Sequence, residues 1–328
     1  MSVRPRRNPC CVPFRSLCLL VALALCTMAA QEKHVREPAV AGTFYPSSRA
    51  ALERDVKEFL AKARPQVPEA LKDKRPLALV VPHASYNYSG RTAAYAYKLL
   101  EGRRRPSRVI LLGPSHRVYL HDSLSVAPYT HYATPLGEMV ADAAARDGLL
   151  KLDLCLSRES ADRREHNIEV QLPFLQTVWK EPPPVLPVLV GDLRGENLRL
   201  AARAIGKLVD EDTLLIASTD FTHYGRNYGY APFKETGDAL AARIKELDMG
   251  AVKKMDALDA EGFLKYCEET GATICGRGAV ALLLQTLSGI EGVRGVSLHY
   301  ATSADVTGDV GNSVSYCAHA FYRPDDAK

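Results

Sequence analysis

Two histidines and one cysteine stand where they could share a single metal ion. His83 directly follows the apolar run 77–81, and His116 lies just after the apolar run 109–112. Cys275 precedes a long apolar segment typical of a helix, whose dipole would favour the thiolate. Imidazole and thiolate suit Zn, Cu or Fe, whereas Mg and Ca prefer oxygen ligands. A small buried side chain without a chemical role is an equally good interpretation of Cys275.

Asp220 and His223 follow a third apolar run, 214–217. In an open α/β sheet, the carboxyl ends of parallel strands meet at one edge, and ligands bind in the crevice there. A single histidine after a strand is usually structural. Because three separate runs end in such residues, the pattern predicts one shared crevice.

Glu165 and His166 open a segment that is predicted to be a helix closing near Pro173. Either side chain could supply an acid or base, or could orient a ligand from behind. A helix start without any chemical role is the alternative. We assign His166, Asp220 and His223 to the catalytic group of the crevice.

Apolar runs and amphipathic segments alternate along the chain. Strands are predicted at 77–81, 109–112, 185–190 and 214–217, helices at 50–63, 92–100, 198–209, 234–246, 259–268 and 277–287, and a closing antiparallel strand pair at 296–301 and 313–321. This alternation indicates an α/β fold with three layers, in which helices cover both faces of a mostly parallel sheet. No repeat or linker interrupts the pattern, so a single domain over 31–328 is expected.

The first thirty residues are typical of a signal peptide, with an arginine-rich start, an apolar stretch and small residues at 27–30. The apolar stretch, 16–30 at most, is shorter than the roughly 20 residues that span a bilayer. We therefore expect cleavage and export to the periplasm or the exterior, with an N-terminal membrane anchor as the alternative. No stable membrane span is expected after cleavage.

The charge of the chain argues against a nucleic-acid partner. Of the formal net charge of +4, four positive charges belong to arginines of the leader, at positions 4, 6, 7 and 15. The remaining chain is thus close to neutral and lacks the basic surface that nucleic acids require. The composition, 47% hydrophobic and 24% charged, is that of an ordinary globular protein.

Several common site patterns are missing from the sequence. Four of the eight cysteines lie in the leader, and the other four form no C-x-x-C pair, which excludes a zinc ribbon. The chain also has no phosphate loop, no G-x-G-x-x-G after a strand, no G-x-S-x-G elbow and no H-E-x-x-H. Nucleotide, dinucleotide, serine-hydrolase and zincin functions are disfavoured.

Five spaced motifs resemble the successive signatures of the Memo family. They are 82–86 (PHASY), 112–116 (LGPSH), 165–169 (EHNIE), 218–223 (STDFTH) and 273–277 (TICGR), and similar stretches at 41–46 and 313–316 extend the likeness over 36–323. Five motifs in the right order are a specific signal. One departure is Ser85, which stands where glycine is usual.

The resemblance implies a fold similar to that of class III extradiol dioxygenases. It implies ligation of iron or copper by His83, His116 and Cys275, with zinc as a further possibility on ligand chemistry. In prokaryotes the family is also known as protein B of the AmmeMemoRadiSam system, which implies AMMECR-type and radical-SAM partners. Export would separate the chain from such cytoplasmic partners.

Two kinds of function fit these residues. Two histidines and a cysteine on Fe(II) would leave positions for substrate and O₂, which favours a metal-dependent oxidoreductase of dioxygenase-like type. A non-catalytic metal carrier, or a protein that presents the crevice to a peptide, is the alternative. A metal-dependent hydrolase ranks third, because the crevice has few carboxylates. The small-molecule or peptide ligand is not specified by the sequence.

Overall fold

The structure is a computed structural model that describes Met1 and residues 33–323. The predicted signal peptide lies outside the described residues, so its cleavage stays a prediction. Within the described part, no helix has the length and apolar character needed to cross a bilayer. The fold below belongs to the compact unit that begins at His34.

Twelve strands and ten α-helices are present among the described residues. The strands are β1 (Val35–Arg36), β2 (Ala78–Val81), β3 (Arg108–Pro114), β4 (Leu124–Val126), β5 (His131–Thr134), β6 (Gly137–Val140), β7 (Cys155–Ser157), β8 (Val185–Val190), β9 (Thr213–Ser218), β10 (His223–Tyr224), β11 (Arg294–Thr302) and β12 (Ser313–Tyr322). The helices are α1 (Arg49–Lys62), α2 (Tyr86–Tyr97), α3 (Ala143–Leu149), α4 (Glu159–Asp162), α5 (Leu172–Val178), α6 (Gly195–Gly206), α7 (Gly237–Asp256), α8 (Ala260–Thr270), α9 (Arg277–Leu287) and α10 (Ala304–Thr307).

Nine strands form one large sheet in the order β10-β12-β2-β9-β3-β8-β4-β7, with β11 pairing β12. The central strands β2, β9, β3 and β8 are parallel to one another. Antiparallel pairing begins on both sides of them, at β12–β2 and β4–β8. The predicted α/β class, with helices on both faces of a large sheet, is confirmed. Parallel pairing is found in this four-stranded centre and again between β4 and β7, and the closing pair β11–β12 is antiparallel as expected.

The central strands are buried on both faces because alternate side chains enter two different cores. On β2, Ala78 and Val80 pack in one core with residues of α6, α8 and α9. Leu79 and Val81 pack in the other core with residues of α1, α2 and α5. Side chains of a strand alternate between its faces, so a continuous apolar run is required when both faces are covered. This arrangement explains why these strands could be predicted from continuous apolar runs in the sequence.

The segment after Glu165 differs from its prediction. A 3₁₀ turn at Glu169–Gln171 leads into helix α5, so Pro173 stands in the first turn of a helix instead of closing one. Proline is well tolerated there, because the first N–H groups of a helix have no partner inside it. The small sheet β1-β5-β6 was also missed, since its strands have only two to four residues each.

A buried ionic cluster ties the N-terminal strand to the region around α4 and α5. Arg36 Nε donates to Asp162 Oδ1 at 2.8 Å, and its guanidinium also donates to Glu169. Glu169 in turn accepts from the backbone N–H of Ala39 at 2.8 Å and of Val40 at 3.0 Å. Each charge is paired and hydrogen-bonded, as burial of ions requires. The cluster therefore anchors residues 35–40 beside the loop that carries His166.

Candidate metal centre

The structure brings His83, His116 and Cys275 together at the carboxyl edge of the parallel strands. One ligand atom from each lies within 4.8 Å of the others, and Cys275 Sγ is 3.2 Å from His83 Nε2. The histidines follow β2 and β3, which end at Val81 and Pro114. Such separations suit side chains that share one ion at about 2.0 to 2.3 Å.

The ring of His83 is held in one tautomer by the hydroxyl of Ser218. His83 Nδ1 lies 3.1 Å from Ser218 Oγ, which donates its only proton to the Asn167 carbonyl at 2.7 Å. Ser218 Oγ also accepts from the amide of Gln171 at 2.8 Å. Because the hydroxyl proton is already used, His83 Nδ1 carries the hydrogen and donates it to Ser218. The Nε2 lone pair is left to face Cys275.

The carboxylate of Glu165 orients the ring of His116, as Ser218 orients that of His83. Glu165 Oε1 lies 2.9 Å from His116 Nδ1, and Oε2 accepts from the His116 backbone N–H at 2.7 Å. Burial alone would raise the pKa of Glu165, but the hydrogen bond from His116 and the nearby His166 ring hold it well below its usual range. An ionised carboxylate only accepts, so His116 Nδ1 carries a hydrogen and Nε2 is the nitrogen left to bind a cation. A carboxylate behind a ligating histidine is the usual outer partner of metal sites.

Cys275 is a thiol in the absence of a cation. Burial and then the neighbouring Asp220 carboxylate raise the pKa of Cys275 well above its usual range, although the backbone N–H groups of Asp220 and Gly276 lower it in part. Without a cation, the thiolate expected from the sequence is therefore not favoured. Burial likewise lowers the pKa of His83 well below its usual value, so this ring is neutral. A bound cation is what would stabilise the thiolate.

Glycine at position 276 permits the close approach of Cys275 to the strand ends. A Cβ there would lie 2.5 Å from Thr219 Cβ and 2.7 Å from the Ser218 carbonyl oxygen. The Gly276 N–H instead donates to Thr219 Oγ1 at 2.9 Å. The Thr-Ile-Cys-Gly motif thus needs its glycine for packing.

Asp220 supports the site from the backbone side. Its Oδ1 accepts from the N–H groups of His83 at 2.8 Å and Ala84 at 3.2 Å, and its Oδ2 is 4.0 Å from His83 Nε2. Burial raises the pKa of Asp220, while His223 and these two amides oppose the rise. Asp220 therefore fixes the turn that presents His83.

His166 and His223 lie beside the three candidate ligands. The His166 ring centroid is 5.3 Å from that of His83 and 4.8 Å from that of His116. His166 Nδ1 is 3.1 Å from Glu165 Oε1 but is not aligned for a hydrogen bond. His223 Nδ1 donates to two carbonyl oxygens, of Phe221 at 2.9 Å and Thr273 at 3.0 Å, so Nε2 is the nitrogen left to exchange a proton. All six predicted site residues thus meet in one region.

These donors fit a transition metal. Two imidazoles offer Nε2 as the ligating atom, and one thiol can ionise, which is the ligand chemistry of Fe, Cu or Zn. The sequence did not single out Ser218 and Gln171, although the position of Ser218 at the end of β9, between β2 and β3, could have been noticed. Ser85 takes the place of a usual glycine without strain, because its φ of −58° suits any residue.

The described cysteines, including Cys275, are all free.

Known proteins similar to this chain agree with the family resemblance of its motifs. A family model described as Memo-like protein matches residues 36–320. A MEMO1 family protein of Thermococcus onnurineus is 34% identical over 88% of this chain and 99% of its own length, and one of Thermococcus kodakarensis is 34% identical over 88% and 100%. The protein memo-1 homolog of Caenorhabditis elegans is 30% identical over 88% and 83%.

A solved structure of an uncharacterised Escherichia coli K12 protein aligns with 75% of this chain and 100% of its own, at 14% identity and a TM-score of 0.46. That likeness is too low to carry an argument. The family match covers nearly the whole described fold, and the curated relatives agree with it over almost their full lengths. The chain therefore belongs to the Memo family.

Proposed function

We propose that this protein binds one iron or copper ion through His83, His116 and Cys275 and uses it in redox chemistry of the oxygenase type. The observation that supports this most is the fixed tautomer of both histidines. Ser218 and Glu165 occupy the two Nδ1 atoms, so that both Nε2 lone pairs are available beside the sulfur. Structural histidines have no need of such an arrangement.

The ion would supply redox capacity and open coordination positions, while the protein would handle protons and orientation. His223 accepts a proton at Nε2, because its Nδ1–H is already donated to two carbonyl groups. His166 stacks on His116 and can contact a ligand that enters beside it. Asp220 holds the backbone of His83 in place and balances charge near His223.

A metal carrier or peptide-presenting protein is the second candidate. The cysteine favours it, since a thiolate with imidazoles also suits Cu(I), and a carrier needs no base such as His223. The two functions differ in what happens after the metal is bound. A carrier releases its ion to a chelating acceptor and consumes no oxygen.

The test is anaerobic reconstitution with Fe(II) and separately with Cu(I), followed by oxygen-uptake assays on catechols and thiols. We expect one ion per chain, and oxygen uptake that depends on the ion and falls in His223→Gln without loss of metal. The conservative His223→Gln variant keeps a donor to the same carbonyl groups. Metal binding without oxygen uptake on any substrate favours the carrier, and failure to bind either ion rejects both.

We also propose that the leader is removed on export. Mass spectrometry of the protein from its own host should give an N-terminus near residues 29–31. An intact Met1 in a membrane fraction would support the anchor instead.

A further inference from the structure

A cavity of about 680 Å³ borders the loops that carry His116 and His166. Its volume lies in the range of about 300 to 1,000 Å³ that small-molecule sites occupy. Three arginines line it, Arg117, Arg163 and Arg164, and all three are exposed. Each is a near neighbour in sequence of a candidate metal-site residue.

The three guanidinium groups have no carboxylate at ion-pair distance within residues 33–323. Two acidic residues share the cavity wall, Glu37 and Glu159. Glu159 Oε2 lies 3.5 Å from His34 Nε2. Three guanidinium groups and two carboxylates thus share the wall, which leaves one net positive charge on the cavity lining.

The arginines are brought together by the same carboxylate that orients His116. Glu165 Oε2 accepts from the His116 backbone N–H at 2.7 Å, which joins the two loops. Arg117 follows His116 directly, and Arg164 directly precedes Glu165. The positive wall and the metal ligands consequently share one support.

A simpler explanation assigns the arginines only to charge balance. Beneath the cavity lie the buried carboxylates of Asp162, Glu165 and Glu169, with Arg36 as their buried cation. Exposed arginines would offset this excess of negative charge weakly and from a distance. That role needs no ligand, so binding of an anion separates the two explanations.

We propose that this cavity binds the anionic part of the ligand, a molecule with at least two carboxylate or other oxyanion groups. The planar fork of arginine matches carboxylate and tetrahedral oxyanions through paired hydrogen bonds. The inference rests on the proposed function where it treats the cavity as the outer part of the same ligand site. It adds to that function the class of molecule recognised.

The experiment uses benzene-1,3,5-tricarboxylate, whose carboxylates are too far apart to chelate one ion, and sulfate as a second probe. Binding is measured by calorimetry at low salt, on the full-length mature protein with and without Fe(II). The test variant is Arg117→Gln/Arg163→Gln/Arg164→Gln. The matched control is Arg49→Gln/Arg91→Gln/Arg294→Gln, which removes three exposed arginines elsewhere that also lack an ion pair within the described chain.

We expect the tricarboxylate to bind the metal-free protein, and the test variant to bind it at least about tenfold more weakly, because charge-assisted hydrogen bonds are lost. The control should bind as the parent does. Stronger binding of sulfate than of tricarboxylate would assign the cavity to a single compact oxyanion and overturn the requirement for several groups. Equal binding by the test variant and the parent, equal losses in both variants, or no binding at all would overturn the proposal.

Metal content is measured on the same samples. If the test variant keeps its ion but loses the tricarboxylate, the anion cavity is supported independently of the redox function. If the parent binds neither anion and the test variant loses thermal stability or metal affinity, the three arginines only balance charge. Failure of metal binding in the parent rejects the proposed function and leaves the anion result to stand separately.

Discussion

Two histidine–cysteine pairs invite comparison within the described part of the chain, and only one has the geometry of a candidate metal centre. His83 is 2% exposed and His319 is fully buried, and each has a cysteine nearby, Cys275 in space and Cys317 two residues away on the same strand. Every ring nitrogen of His83 has a polar neighbour. Neither ring nitrogen of His319 makes a hydrogen bond in the described part, although Nε2 lies 3.3 Å from Asp256 Oδ1 without alignment.

The difference follows from where each pair lies along its element. His319 and Cys317 stand in the middle of β12, where the backbone is used by the sheet and the side chains enter the core. His83 and Cys275 stand just beyond the ends of β2 and before α9, where loops offer hydroxyls, carbonyls and amides. A metal site needs lone pairs aimed at one point, and residue type alone does not supply that.

The largest expected effect is that replacing Cys275 abolishes metal binding and replacing Cys317 does not. Cys275→Ala removes a candidate ligand, so we expect no stoichiometric binding of Fe(II) or Cu(I). Cys317→Ala removes a buried side chain of similar size and should leave metal content unchanged, at a cost of about 1 kcal/mol in unfolding free energy. Elemental analysis and urea unfolding of both variants decide this. Equal metal contents would remove the basis of the comparison.

His319 should make stability depend on pH. Burial lowers the pKa of His319 from 6.5 to about 3. Below pH 6.5 the unfolded chain binds a proton at His319 that the folded chain does not bind. The free energy of unfolding is therefore highest above this pH and decreases as the pH falls toward 3. His319→Leu should remove this decrease, which amounts to about 2 kcal/mol of unfolding free energy between about pH 6.5 and 5.

This comparison uses the metal-free protein, because protons compete with metals at the other histidines. Urea unfolding of the parent and of His319→Leu at several pH values gives the two slopes. Identical slopes would mean that the nearby Asp256 carboxylate shares the proton of His319 in the folded state.

Glu165 comes next in expected size. Glu165→Gln keeps the shape of the side chain but removes the charge that orients His116, so metal affinity should fall about 10- to 100-fold while saturation still reaches one ion. Asp256→Asn, beside His319, is the matched control and should leave metal affinity unchanged. Competition titration with a chelating dye measures both. An unaffected Glu165→Gln variant would show that the hydrogen bond does not tune the ligand.

The sequence predicted the centre of the fold better than its margins. Strands β2, β3, β8 and β9 are buried on both faces, and such burial requires a continuous run of apolar residues in the sequence. The short strands β1, β5 and β6 carry no such signal. The helix predicted from Glu165 was misplaced because a proline fits the start of a helix as well as the residue after its end.

The candidate site was predicted through strand ends, and its supporting residues were not. His83 and His116 could be placed because β2 and β3 are parallel and end at one edge. The roles of Ser218 and Gln171 depend on hydrogen bonds between residues 47 positions apart, which no local pattern encodes. The difference in role between Cys275 and Cys317 likewise follows only from the three-dimensional structure, since burial raises the pKa of both thiols.

Asp220 should give the smallest effect and the sharpest distinction within the site. Its Oδ1 binds two backbone N–H groups, of His83 and Ala84, and Oδ2 is 4.0 Å from His83 Nε2, so it positions a ligand without needing to be one. Asp220→Asn keeps an oxygen for the amides, and metal affinity should fall only about tenfold, the low end for such outer partners. His83→Ala, measured beside it, should abolish binding. If Asp220→Asn strips the ion as completely as His83→Ala does, Asp220 is itself a ligand, and a carboxylate-containing centre with hydrolytic chemistry becomes the better description.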